Sequence, residues 1–169
     1  MMPTWDVVLL VFFAASLVYG FLLGKDKMMI TILGAYVGLV IANQWGARVF
    51  ELVSQQSGVL DTSWMQGSLS IFVVKTALFA LVILIIALKG GWLAHPPGNM
   101  GIFGTVMPVV YSMLNAALIS ASILDFLPEE TLKQVIEKSV IAGPLVAYYS
   151  WWLILPVVFI LVSGWLTRE

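Results

Sequence analysis

Hydrophobic and polar positions alternate along this chain on the scale of whole helices. Five long apolar runs, 5–23, 28–47, 69–88, 102–124 and 145–166, are separated by short polar stretches. Each holds roughly the twenty residues with which a helix crosses about 30 Å of hydrocarbon. The pattern predicts an all-α fold: a polytopic membrane bundle of about five transmembrane helices, built as a single domain over residues 1–169.

The polar stretches predict the connections. Lys25-Asp26-Lys27 reads as a tight turn at a membrane surface, so the first two helices form an antiparallel hairpin. The second helix continues beyond its apolar run. Over 48–56, Val49, Phe50, Leu52 and Val53 alternate with polar residues in an amphipathic pattern. Ser57-Gly58 and Asp61-Thr62-Ser63 then predict a loop, with Trp64 at the interface. His95-Pro96-Pro97-Gly98-Asn99 predicts a rigid, turn-rich loop over 90–101. Pro108 and Pro156 fall inside apolar runs, where each would bend a helix.

Residues 128–142 differ from the spans. Pro128 suits the first turn of a helix, and Glu129 and Glu130 suit its positive end. Leu132, Val135, Ile136 and Val140 share one face, and Gly143-Pro144 stops the pattern. The segment is too short and too charged to span. It predicts an amphipathic helix lying in the interface, or one packed on the bundle from the aqueous side. In the last run, Tyr148, Tyr149, Trp151 and Trp152 lie near one end and Trp165 near the other, an aromatic belt at both interfaces.

Composition agrees with lipid as the solvent. Hydrophobic residues make up 61% and charged residues 10%, against about 45–50% and about 25% in soluble domains. Mean hydropathy is +1.02. The formal net charge of −1 comes with no basic patch, which argues against nucleic acid as a partner. The absence of cysteine removes disulfides, thiolate chemistry and Cys-ligated metals. His95, the one histidine, cannot build a His-based metal site by itself. It also lies in a Pro-rich loop, away from any helix that could pair it with a serine. Paired aspartates deep in helices, a His-Glu-x-x-His motif and a phosphate-binding Gly-rich loop are all missing. These readings give no catalytic residue, no cofactor and no metal, and they argue against an enzyme. The first run has no Lys or Arg ahead of it, carries Asp6, and is longer than a signal-peptide core, so it reads as a retained helix.

Lys75 is the one basic residue inside a run. The 13 apolar residues at 76–88 span only about 20 Å. Residues 71–74 must therefore also be in the membrane, which puts Lys75 roughly 10 Å from one edge. A lysine at the bilayer centre costs about 2.5–3.5 kcal/mol, and less near an edge. Three readings stand open: snorkelling to the interface, a structural ion pair, or a substrate or ion path. The alternation of spans places Asp6, Asn43, Gln44, Arg48, Lys75 and Asp125 in or beside one leaflet. Asp6 and Asp125 are the candidate ion-pair partners of Lys75. Asn43 and Gln44 are the candidate hydrogen-bonders.

Small residues form a second pattern. Gly34, Gly38, Ala42 and Gly46 recur every four residues on one helix face, which lets another backbone approach closely. Gly20 and Gly24 make a second pair. Ser112, Ala116 and Ser120 make a third set, with Asn115 beside it. The expectation is contact with a neighbouring helix of the same chain; the alternative is a seam between two copies.

The N-terminal half also resembles a known family. Trp5-Asp6-Val7-Val8, Gly20-Phe21, Gly24 with Lys25 and Lys27, then Leu33-Gly34, Gly38 and Ala42 are similar to the N-terminal hairpin of the colicin V production protein family. Residues 118–127, followed by Pro128 and Ser139, are similar more loosely. Two departures stand out: Gly101 and Gly104 are spaced one residue closer than the family's usual pair, and a fifth, Trp-rich span is present. The resemblance implies a bacterial inner-membrane protein linked to colicin export and envelope robustness, with no catalytic residues to carry over. It implies that Asp6, Gly20, Gly24, Gly34 and Gly38 are structurally specified.

The functional expectation is a small inner-membrane protein of transport, export or envelope maintenance, with Lys75 and Asp125 lining a polar path. Its partners would be the lipid bilayer and either a second copy, as a homo-oligomer, or other membrane proteins. The lysines of the first turn place the N-terminus outside and the C-terminus inside. The alternative is a non-transporting scaffold or assembly factor that binds partner proteins or lipids. Water access to Lys75 separates the two.

Overall fold

The computed structural model describes residues 5–56, 71–89 and 102–166, and these are helical with no strand among them. The elements are α1 (Trp5–Gln56), α2 (Ile71–Lys89), α3 (Ile102–Asp125), α4 (Glu129–Lys138), α5 (Ala142–Ala147) and α6 (Tyr149–Leu166). The stretches around Trp64 and His95 lie outside the described residues. Three helices, α1, α2 and α3, are long and apolar enough to cross a membrane. The apolar part of α6, Tyr149–Trp165, is shorter. These are the helices of a membrane protein.

α1 is two arms joined at Gly24, whose φ of 78° and ψ of 175° are non-helical. That backbone region is essentially open to glycine alone. The turn is therefore made by Gly24, and Lys25, Asp26 and Lys27 already belong to the second arm. This corrects the expected turn at the charged tripeptide: the missing Cβ, not the charge, bends the chain. The arms run antiparallel, because Gly20 and Met28 both meet Ser112 of α3. Beyond the turn the second arm stays helical to Gln56, a length of about 48 Å at 1.5 Å per residue.

α3 is the central helix. In its apolar stretch 61% of residues are buried, against 11% in α1 and in α2. Many of its buried positions are small: Ser112, Ala116, Ala117, Ser120, Ala121 and Ser122. Small side chains let several backbones close on one helix. The first arm packs antiparallel to it, with Ser16 Oγ donating to Ser112 O at 3.0 Å. The second arm follows it in parallel, from Met28 beside Ser112 to Ala42 in one cluster with Phe126. α6 returns antiparallel, with Phe159 edge-on to Tyr111 at 4.9 Å and Ser163 in contact with the Tyr111 hydroxyl. The Tyr36 hydroxyl ties the second arm to α6 by donating to Leu153 O. Pro108 lies inside α3, and its carbonyl accepts from Ser112 Oγ at 2.6 Å. α2 packs on the outside of the second arm.

The segment after α3 differs from the helix expected over 128–142. α4 stops at Lys138, and Ser139 is extended, with φ −133° and ψ 121°. Only Leu132 and Val135 turn toward the bundle; Val135 joins Leu9, Ala117, Leu124, Ala142 and Leu145. Ile136 is exposed, and Val140 is 84% exposed, so neither belongs to the buried face. Gly143 and Pro144 do not end a helix but lie in the first turn of α5, where the missing proline N–H is not needed. The chain breaks again at Tyr148, with φ −105° and ψ 27°, and α6 starts four residues later than the apolar run.

Candidate functional site

Of the charged and amide residues that the sequence placed in one leaflet, only Lys75 and Asn43 meet, at one end of the bundle. The second arm presents Asn43 and Gly46, α2 presents Lys75, and the turn after α3 presents Phe126. Phe126 is fixed by its backbone N–H, which donates to Ser122 O at 3.2 Å. Its ring is buried and meets Phe79 edge-on at 5.7 Å and 86°.

Lys75 does not reach away from the bundle. Its stem crosses Gly46 so closely that a Cβ there would lie 2.5 Å from Cγ. Its Nζ donates to Asn43 Oδ1 at 3.3 Å and lies 5.5 Å from the centre of the Phe126 ring. An amide oxygen and a π face both favour a cation, but neither carries a formal charge. Lys75 remains partly exposed, and Asn43 is exposed.

The expected partners lie elsewhere. Among the described residues no carboxylate pairs with Lys75. Asp6 instead clasps the segment after α4. Its carboxylate accepts from Ser139 Oγ at 2.5 Å, from Ile141 N at 3.2 Å and from Val140 N at 3.4 Å. Ser139 Oγ in turn accepts from Ala142 N at 3.0 Å. The backbone N–H groups that lead into a helix have no acceptor within it, and at the entry to α5 the aspartate at the start of α1 supplies one. Asp125 is exposed at the end of α3, within electrostatic reach of Tyr149. Gln44 is exposed, one residue round the helix from Asn43. Of the five residues expected to cluster, only Lys75 and Asn43 touch.

The small-residue stripe is placed just as clearly. Gly34 faces Ile86, where a Cβ would meet Cγ2 at 3.1 Å. Gly38 faces Phe79, 3.1 Å from both ring and carbonyl, and Ala42 is fully buried. With Gly46 under Lys75, the stripe is the seat of α2 within one chain. Gly20 packs on Ser112 of α3, whereas Gly24 faces nothing within 4 Å and serves the turn.

Phe126 and Ser139 were not singled out by the sequence as site residues. An aromatic directly after Asp125 and a serine ahead of Gly143-Pro144 were the only signals, and neither is specific. Chemically, the Lys75 end offers a fixed cation able to hold an anionic group. Among the described residues no cluster of three acidic or histidine side chains could hold a metal ion. Compared with protein-family models, characterised proteins and solved structures, the chain matches none.

Proposed function

We propose that this chain is a small bacterial inner-membrane protein of the colicin V production type, serving transport, export or envelope maintenance. In this reading its working element is the Lys75 cation, which meets an anionic group supplied from outside the chain. One observation carries it: Lys75 is held by Asn43 and the Phe126 ring, with no carboxylate beside it among the described residues. An ionisable side chain at membrane depth is expensive and commonly serves function. Here its position is fixed while no described carboxylate compensates its charge. The anion is either a transported species or an acidic side chain of a second copy or another membrane protein. α2 lies at the periphery, so a path past Lys75 needs such a neighbour to complete its wall. The lysines at the first turn favour an outside N-terminus and an inside C-terminus. No enzymatic step belongs to this reading.

A non-transporting scaffold is the second reading. It is favoured by the exposed charged face of α4, with Glu129, Glu130, Lys133, Glu137 and Lys138. The glycine stripe is occupied by α2, so a scaffold would bind through α4 instead.

The test is Lys75→Cys in the otherwise cysteine-free chain, probed with a membrane-impermeant thiol reagent from each side. Labelling from one side supports a wet path and assigns that side. Protection from both sides, with a Gln55→Cys control labelled, defeats the path and leaves the scaffold.

A further inference from the structure

A second site lies at the opposite end of the bundle. A small, open cleft lies between the start of the second arm, the start of α3 and the end of α6. The exposed Lys25 stands at its mouth, Met29 and Met107 line its sides, the buried Tyr111 and Ser163 form its floor, and the exposed Gly164 borders it. We infer that this cleft seats an anionic phospholipid, with the phosphate at Lys25 and the glycerol and first methylenes between the two methionines.

Three features converge on that occupant. The first is depth. Lys25 follows the turn at Gly24, at the end of the apolar first arm, and Met29 lies one helical turn further along the second arm, about 6 Å away. Polarity therefore changes along the cleft as it does along a phospholipid, from charge to apolar wall. The hydroxyl pair of Tyr111 and Ser163 suits the ester level. The second is charge. Lys25, Lys27 and Lys89 lie at this end, with Asp26 between the first two and within electrostatic reach of Tyr111. The tripeptide keeps a net single positive charge, and juxtamembrane lysines attract anionic lipid. The third is space. A Cβ on Gly164 would meet nothing within 4 Å, so the cleft is open there rather than packed. The cleft is far smaller than a whole phospholipid, so the tails remain in the bilayer. Flexible methionine walls adapt to such a chain. This site is independent of the Lys75 reading, since the two lie at opposite ends.

The experiment is native mass spectrometry of the full chain released from nanodiscs of equal phosphatidylglycerol and phosphatidylcholine. Wild type is expected to retain phosphatidylglycerol preferentially. Lys25→Gln should lower that retention about fivefold. Gly164→Leu, which fills that opening, should abolish it, and Lys89→Gln should leave it unchanged. Equal loss from Lys25→Gln and Lys89→Gln would mean diffuse attraction and overturn the site. So would wild-type retention by a folded Gly164→Leu, or no preference for phosphatidylglycerol. Lys25 is exposed, so its comparison with Lys89 decides the matter even if Gly164→Leu does not fold.

Discussion

Gly46 and Lys75 form one structural unit: the lysine stem occupies the space that any side chain at position 46 would need, 2.5 Å from where its Cβ would be. The missing Cβ lets Lys75 lie across the second arm and reach Asn43. A β-branched or larger residue at 46 would push the ammonium away from both of its contacts.

Gly46→Ala should therefore destabilise the fold by about 1–3 kcal/mol, the usual cost of overpacking. Reversible unfolding in mixed micelles would measure it. The double variant with Lys75→Ala removes Cγ, so there Gly46→Ala should be close to neutral. A double-mutant cycle with no coupling would show that the two side chains do not compete for this space.

Gly20→Ala should be more damaging. Its Cβ would lie 1.6 Å from Ser112 Oγ and 3.1 Å from Pro108 O, in the tightest approach of the first arm to α3. Ser112→Ala should rescue part of the loss by removing the hydroxyl. Full rescue is not expected, because Ser112 Cβ would still lie at 3.0 Å. Thermal melting of the single and double variants would give the ordering.

Gly24→Ala tests backbone strain alone. Nothing lies within 4 Å of the added Cβ, yet φ is 78°, so the cost should be about 1–3 kcal/mol. Gly143→Ala is the control. It also faces open space but carries no such dihedral, and it should be neutral or stabilise by up to about 1 kcal/mol. Equal effects from the two would remove the strain argument.

Asp6→Asn should loosen α4 and α5 without unfolding the bundle. The amide offers one acceptor oxygen where the carboxylate serves three donors, Ser139 Oγ, Val140 N and Ile141 N. Hydrogen exchange should rise over residues 139–142 and leave α3 protected. Ser139→Ala should produce a smaller rise in the same segment. Unchanged exchange in both variants would show that the clasp does not hold this segment.

Much of the helical layout was legible because apolar run length and glycine spacing are local properties. The runs marked the helices, and the four-residue stripe marked the face on which another helix sits. The partner of that face was not legible, since nothing in 34–46 names Ile86 or Phe79. The boundaries around 139–149 were misplaced for the same reason. A new helix, α5, begins there where Asp6, more than 130 residues away in the chain, accepts the N–H groups that lead into it.

The sequence by itself determined that this is an all-helical chain with the long apolar helices of a membrane protein, one lysine inside an apolar run, and no cysteine. Hydrophobic period and side-chain inventory suffice for that. Only the tertiary structure decided what each polar side chain meets. Lys75 went to Asn43 and Phe126, and Asp6 went to Ser139, because which groups come within hydrogen-bond reach depends on how helices rotate and close on one another. That rotation is set by where glycine permits contact, at Gly20 against Ser112 and at Gly46 against Lys75.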